Sequence, residues 1–193
     1  MYNDEGGAGS ARRTFPVVPE SGQLPIRGDK ITGDRYYCRD FAKREWDGMW
    51  TKVWHVGGRE AELEEPGDFI THKFLRESVL MVRQEDGSIK AYYNSCMHRG
   101  NRLVTGQSGS LPNGFTCSYH GWRWGVDGTL EHAQDAEDFP QGNPCGKLKL
   151  KEIPCGTWGG FVWYSMNENA QPLMDYLYPI PQLFAGREPD KMV

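Results

Sequence analysis

Two short segments of the chain each place a cysteine close to a histidine, and this repetition constrains the fold more than any other feature. The first is Cys96-Met97-His98 and the second is Cys117-Ser118-Tyr119-His120, with 18 residues between them. A glycine closely follows each pair, at Gly100 and Gly121, and glycine permits tight turns. Thiolate sulfur and imidazole nitrogen both bind transition metals. The two segments together offer two sulfur and two nitrogen donors, which predicts a metal centre with ligands from two loops.

Chance pairing, a zinc site and an iron–sulfur cluster are the three interpretations of this pattern. Chance is disfavoured because two of the five cysteines and two of the five histidines fall in the matched segments. Two Cys and two His suit tetrahedral zinc, but zinc sites usually pair cysteine with cysteine and histidine with histidine. A Rieske [2Fe–2S] centre also takes two Cys and two His, and one of each comes from either loop. The mixed segments favour this cluster, and a colourless structural zinc site is the alternative.

The same segments carry a resemblance to a known family. Cys96-Met97-His98-Arg99-Gly100 and Cys117-Ser118-Tyr119-His120-Gly121-Trp122 resemble the Rieske motif of the aromatic-ring-hydroxylating oxygenases, in the N-terminal domain of their large (α) subunit. The resemblance covers residues 35 to 185. The matching features outside the motif are a helix ending at Trp50, a turn at 66–68, hairpins around 86–87 and 124–130, and a strand over 159–163.

This resemblance implies a Rieske-type [2Fe–2S] cluster. Cys96 and Cys117 would bind the inner iron, and His98 and His120 the outer one. The resemblance also implies that other residues of the two loops surround the cluster, namely Arg99, Gly100, Tyr119, Gly121 and Trp122.

Four of these surrounding positions have specific expected roles. We expect Gly100 and Gly121 to let the backbone approach closely, with their N–H groups aimed at sulfur. We expect Arg99 to set the loop or balance the cluster charge, and Trp122 to shield the cluster from water.

The sequence also predicts the direction of the redox potential within the Rieske range. The high-potential respiratory type adds a disulfide and hydroxyl groups that bond the cluster sulfurs. The corresponding positions here are Asn101, Tyr119, Trp122 and Trp124, which supply neither the disulfide nor the matching hydroxyls. Because fewer hydrogen bonds leave sulfur charge less stabilised, we expect a potential at the low end of the range.

The expected fold class is all-β. The resemblance implies a Rieske (ISP-like) antiparallel β-sandwich with a ligand-loop subdomain, preceded by a helix over residues 39–50. We expect a flexible tail over residues 1–30, a Rieske domain over 31–185 with cluster loops at 96–100 and 117–122, and the start of a linker over 186–193. The pattern of apolar residues and turns predicts strands at 51–56, 69–74, 78–83, 89–94, 122–126, 129–132, 148–153 and 158–166, loops at 100–114 and 133–147, and a short helix at 172–177.

Composition excludes several partner classes. The chain has 22 Lys and Arg against 26 Asp and Glu, a formal net charge of −4, and a mildly acidic chain without a basic run is a poor binder of nucleic acid or anionic membrane. Its uncharged apolar stretches, such as 79–82, are far shorter than the ~20 residues of a membrane span. Five unevenly spaced cysteines argue against a disulfide scaffold. We therefore expect a cytoplasmic protein with no nucleic acid or membrane partner.

The expected function is electron transfer within a ring-hydroxylating oxygenase. By resemblance, single electrons pass from a reductase or ferredoxin to the cluster, and then to a mononuclear non-haem iron in the catalytic domain of the same or a neighbouring subunit. In the family that iron, Fe(II), is bound by two His and one carboxylate. His132 is the last histidine of the chain, so we expect the chain alone not to turn over substrate.

A stand-alone Rieske-type ferredoxin is the alternative function. A homotrimer is the expected assembly for a full α subunit. The residues leave open the substrate and the choice between dioxygenation, monooxygenation and demethylation.

Overall fold

A computed structural model describes residues 33–191, so the predicted tail at 1–30 lies outside the described residues. Short antiparallel strands dominate this part of the chain. They are Trp54–Arg59 (β1), Asp68–Phe74 (β2), Glu77–Arg83 (β3), Ile89–Tyr93 (β4), Ser108–Ser110 (β5), Phe115–Thr116 (β6), Arg123–Trp124 (β7), Leu130–His132 (β8), Glu152–Ile153 (β9), Cys155–Trp158 (β10) and Phe161–Ser165 (β11). The all-β prediction is confirmed.

A five-stranded antiparallel sheet in the order β5-β2-β3-β4-β9 forms the centre of the molecule. Its middle strand, β3, buries both faces because successive side chains of a strand point to opposite sides. Val79 and Met81 pack into one apolar cluster, whereas Leu80 and Val82 pack into another. All four are fully buried, so both faces of the sheet are covered by other elements.

A three-stranded sheet in the order β1-β11-β10 lies against one face of the central sheet. Val162 and Tyr164, on alternate positions of β11, belong to the same buried cluster as Val79 and Met81 of β3. This packing is the predicted antiparallel β-sandwich.

A small unit of three short strands, β6-β7-β8, lies on the opposite face and carries the second cluster loop. Phe115 and Trp124 are its fully buried anchors. Its hairpin turn follows the predicted Asp127-Gly128 signal, since Asp127 accepts hydrogen bonds from the backbone N–H and the hydroxyl of Thr129 at 2.9 and 2.7 Å. This unit is the expected ligand-loop subdomain.

The predicted N-terminal helix is present as Arg39–Glu45 (α1), and it continues as a π-helical turn over Trp46–Trp50. Trp46 is buried at the start of the wide turn. Thr51 ends the turn by donating its backbone N–H and its hydroxyl to the carbonyl of Trp46. These contacts hold Thr51 outside the strand, so β1 begins three residues later than predicted. Within 33–191, no helix is long and apolar enough to cross a membrane.

Several predicted boundaries differ from the structure. The predicted loop 100–114 contains β5, and β10 was not predicted at all. The predicted strand 148–153 pairs as a strand only over β9, with an isolated bridge between Thr129 and Lys149 before it. The predicted helix at 172–177 is Leu173–Tyr176 (α2), and a further helix follows at Ile180–Leu183 (α3).

Candidate metal centre

The two predicted cluster loops are built on the same backbone hydrogen bonds. In the first loop, the N–H of Cys96 donates to the carbonyl of Asn101, and the N–H of Gly100 donates back to the carbonyl of Cys96, both at 2.8 Å. In the second loop, Cys117 donates to Trp122 at 2.8 Å and Gly121 donates to Cys117 at 3.0 Å. In each loop, therefore, a backbone hydrogen bond joins the cysteine to the fifth residue after it. The matched spacing seen in the sequence reflects this shared conformation.

Glycine is required in both loops by backbone conformation. Gly100 has φ +73° and Gly121 has φ +69°, in the left-handed region that other residues rarely adopt. A Cβ at Gly121 would meet no atom within 4 Å, and one at Gly100 would only reach the Ser95 hydroxyl at 4.0 Å. The N–H groups of both glycines bond to cysteine carbonyls and not to sulfur, contrary to the expectation from the sequence. The turn itself, rather than an approach to sulfur, explains these two glycines.

The two candidate thiol donors are buried side by side. Cys96 is 1% exposed and Cys117 is 2% exposed, and the two thiols lie within hydrogen-bonding reach of each other. Burial raises the pKa of the Cys96 thiol. Burial acts in the same direction on Cys117, but the backbone N–H groups of Tyr119 and His120 and the side chain of Asn101 outweigh it and lower the pKa. Cys117 is therefore the thiol better prepared to become a thiolate ligand.

The two candidate imidazole donors lie next to each other. The ring centroids of His98 and His120 are 4.7 Å apart. His98 is exposed but stacks flat on the buried Trp122 ring, with centroids 4.4 Å apart and an angle of 5°. Slight burial lowers the pKa of His98, as do His120 and Arg99, and the neutral imidazole is the form that binds metal.

His120 contains the most informative atom of the site. Its Nδ1 is buried and has no hydrogen-bond partner in the described part of the chain. A buried polar atom without a partner costs about 1–3 kcal/mol, so such atoms need an explanation. Coordination of a metal through Nδ1 would explain why this atom is buried without a hydrogen-bond partner.

The remaining predicted loop residues lie at the rim of the site. The Arg99 guanidinium lies 5.9 Å from the centroid of the Tyr119 ring, which links the two loops by a cation–π contact. Tyr119 also packs on His120, with ring centroids 3.7 Å apart. Trp122 is 4% exposed and shields one face of the His98 ring. Met97 and Tyr119 are 52% and 57% exposed, so the surface beside the imidazoles is apolar.

Sequence reasoning missed a buried asparagine that holds the first loop. Asn94 Oδ1 accepts the N–H groups of Leu103 and Val104 at 3.1 and 3.0 Å, and Asn94 Nδ2 donates to the carbonyl of Val104 at 2.7 Å. Nδ2 also donates to the Ser78 hydroxyl of β3 at 3.2 Å. The two ends of the first loop are thereby joined to each other and to the central sheet. Only the tertiary fold brings these residues together, so no local sequence signal could have found them.

The donor set fits a dinuclear cluster. Among residues 33–191, no three His, Cys, Asp or Glu side chains converge closely enough to hold a single metal ion. A cluster of two irons and two sulfides is larger than one ion, so its four ligands do not have to meet at one point. Two buried thiols, two adjacent imidazoles and the unpartnered Nδ1 of His120 match the ligands that such a cluster needs.

Comparisons with known proteins point to the same kind of site. A family model for the Rieske [2Fe-2S] domain matches residues 53–152, which include both loops and make up more than half of the chain. The carnitine monooxygenase oxygenase subunit of Escherichia coli (strain K12) is 33% identical over 144 residues, covering 74% of this chain and 38% of the relative. The large oxygenase component of the naphthalene 1,2-dioxygenase system of Pseudomonas putida is 36% identical over 138 residues, covering 70% and 30%.

A solved structure gives the same result at the level of the fold. A quaternary ammonium Rieske monooxygenase, studied for carnitine oxidation by gut microbiota and inter-subunit electron transfer, superposes with a TM-score of 0.72 at 29% identity, covering 79% of this chain and 41% of that one. The chain thus spans well under half the length of these relatives, which are oxygenase components. The chain belongs to the Rieske [2Fe–2S] domain family and is related to the large subunits of Rieske oxygenases.

Proposed function

We propose that Cys96, Cys117, His98 and His120 hold the [2Fe–2S] cluster of this domain and that the domain relays single electrons. One observation carries this proposal. Two loops with the same backbone hydrogen bonds hold two buried thiols and two adjacent imidazoles, and the buried Nδ1 of His120 has no hydrogen-bond partner among residues 33–191. When bound, the cluster accepts and releases one electron at a time.

The surrounding side chains prepare the site for this role. The buried thiols lie in the apolar cluster that also contains Trp122 and Trp124, which excludes water from the sulfur side. Stacking on Trp122 fixes the plane of His98. Because His98 is exposed, its imidazole edge offers a short path between the buried site and a partner at the surface.

We propose a reductase or ferredoxin as the electron donor, and a mononuclear non-haem iron in the catalytic domain of the same or a neighbouring subunit as the acceptor. Both relatives described above are oxygenase components, and inter-subunit electron transfer has been studied in the related monooxygenase. Substrate oxidation would then need that second iron site, and a homotrimer is the proposed assembly. Residues 31–185 would form the Rieske domain, and 186–193 would begin the linker.

We further propose a cytoplasmic location. All five cysteines are free thiols in the structure, including the two candidate ligands. A reducing compartment keeps such thiols available for a cluster.

Single cysteine variants test the proposed ligands. Cys96→Ala and Cys117→Ala should each abolish the red-brown colour, the bound iron and the acid-labile sulfide, because a thiolate ligand cannot be replaced by a methyl group. Cys145→Ala is the matched control, since Cys145 is a half-buried free thiol packed against the same apolar cluster. It should retain iron, sulfide and the EPR signal of the dithionite-reduced protein. Full iron and sulfide in either ligand variant would refute the assignment.

A further inference from the structure

A side-chain N–H group lies near each of the two candidate sulfur ligands. Asn101 Nδ2 lies 3.6 Å from Cys117 Sγ, within the distance for a hydrogen bond to sulfur. The same nitrogen donates to the carbonyl of Arg102 at 3.0 Å and contacts the Ser118 hydroxyl at 3.3 Å. Since an amide NH₂ has two hydrogens, one is taken by the Arg102 carbonyl and the other is left for Cys117 and Ser118.

Trp124 provides the second donor, beside Cys96. Its side chain is fully buried, and its Nε1 has no hydrogen-bond partner among the described residues. It belongs to the same apolar cluster as Cys96. Burial raises the pKa of the Cys96 thiol, and the nearby indole N–H partly opposes that rise. A neutral thiol is a weak acceptor, which leaves the indole N–H short of a proper bond. A thiolate bound to iron at Cys96 would accept that hydrogen and remove the penalty.

We propose that Trp124 and Asn101 each donate a hydrogen bond to one cysteine ligand and thereby raise the reduction potential of the cluster. This inference rests on the proposed cluster site. Reduction adds an electron to the cluster and increases the negative charge on sulfur, so donors to sulfur stabilise the reduced state more than the oxidised one. These positions lack the hydroxyl groups of the high-potential respiratory type. The structure places two N–H donors where those hydroxyls are absent.

Removing one donor should therefore favour the oxidised state. Trp124→Phe keeps a buried aromatic ring without an N–H, and Asn101→Ala removes the amide from a half-buried position. We expect each change to shift the one-electron equilibrium about tenfold towards the oxidised form, which corresponds to about 59 mV. Because the donors act on different sulfurs, the double variant should shift it about a hundredfold.

The matched controls are Trp163→Phe and Asn113→Ala. Trp163 Nε1 donates to the carbonyl of Trp158, on the sheet away from the loops, and Asn113 is an exposed loop residue. Spectroelectrochemical titration of each protein, together with iron, sulfide and EPR measurements, gives the potential of an intact cluster. Both controls should titrate like the unchanged protein.

The possible outcomes separate this inference from the proposed function. Lower potentials in Trp124→Phe and Asn101→Ala, with unchanged iron and sulfide, support it. Unchanged potentials in both, with an intact cluster, overturn it while the ligand assignment stands. If Trp124→Phe fails to fold, Asn101→Ala decides. Absence of iron and sulfide from the unchanged protein refutes the ligand assignment, and this inference with it.

Discussion

Replacing Asn94 with alanine should loosen the base of the first cluster loop. The change leaves three buried backbone groups without their partner: the N–H groups of Leu103 and Val104 and the carbonyl of Val104. Leu103 and Val104 are 9% and 7% exposed, so water replaces the lost bonds poorly. At about 1 kcal/mol for each orphaned group, the low end of the usual range, the local loss is about 3 kcal/mol.

Amide hydrogen exchange followed by mass spectrometry measures this loss on the protein with its cluster bound. Local opening that becomes easier by about 3 kcal/mol speeds exchange roughly a hundredfold, and the effect should be confined to peptides covering 101–106. Asn143→Ala is the matched control, because Asn143 Oδ1 accepts only the exposed N–H of Cys145. Exchange within about threefold of the unchanged protein in Asn94→Ala would refute the reasoning, since it corresponds to less than about 1 kcal/mol.

Two further changes test the packing around the site. Phe115→Ala removes a fully buried ring that lies edge-on to Phe69 of the central sheet, with ring centroids 6.3 Å apart. The change should lower the free energy of unfolding by about 3–5 kcal/mol. Its thermal unfolding midpoint should therefore fall well below that of the control Phe184→Ala, whose side chain is 38% exposed. Burial lowers the pKa of His72 below its ordinary value of 6.5. As the pH drops below 6.5, the unfolded chain therefore takes up a proton at His72 before the folded protein does, and the free energy of unfolding should fall. His72→Gln should flatten this part of the curve of unfolding midpoint against pH.

The controls for these two changes are equally specific. Equal unfolding midpoints for Phe115→Ala and Phe184→Ala would contradict the packing of the ligand-loop subdomain on the central sheet. His132→Gln, at an exposed position, should leave the pH dependence of the midpoint unchanged. A His72→Gln protein that still loses the same stability in acid would show that another group is responsible.

Local sequence signals predicted the elements that depend on local chemistry. The Asp127-Gly128 turn follows from a carboxylate that caps its own turn, and the alternating faces of β3 follow from a run of apolar residues. β10 was missed because Gly156 and Thr157 show no strand pattern, and its position is fixed by pairing with β11. β5 consists of three exposed residues without an apolar pattern, and its position is fixed by pairing with β2.

In the candidate site too, some residues could be identified from local sequence and others only from the tertiary fold. The four candidate donors could be proposed from the sequence because cysteine and histidine at this spacing have few other uses, and their role as ligands stays a prediction. The hydrogen bonds of Asn94 to the first loop and the proposed hydrogen bonds of Asn101 and Trp124 could not be predicted, because each involves a residue that only folding brings close. Gly100 and Gly121 were identified correctly as turn residues, but their N–H groups close the turn onto cysteine carbonyls.

Mössbauer spectroscopy of the reduced, iron-57-enriched protein tests most directly whether the two irons of the cluster have different ligands. The account predicts two irons and two sulfides per chain. The spectrum should contain two components of equal area, a ferric site with sulfur ligands and a ferrous site with nitrogen ligands. A single type of iron, or stoichiometric zinc without acid-labile sulfide, would contradict it.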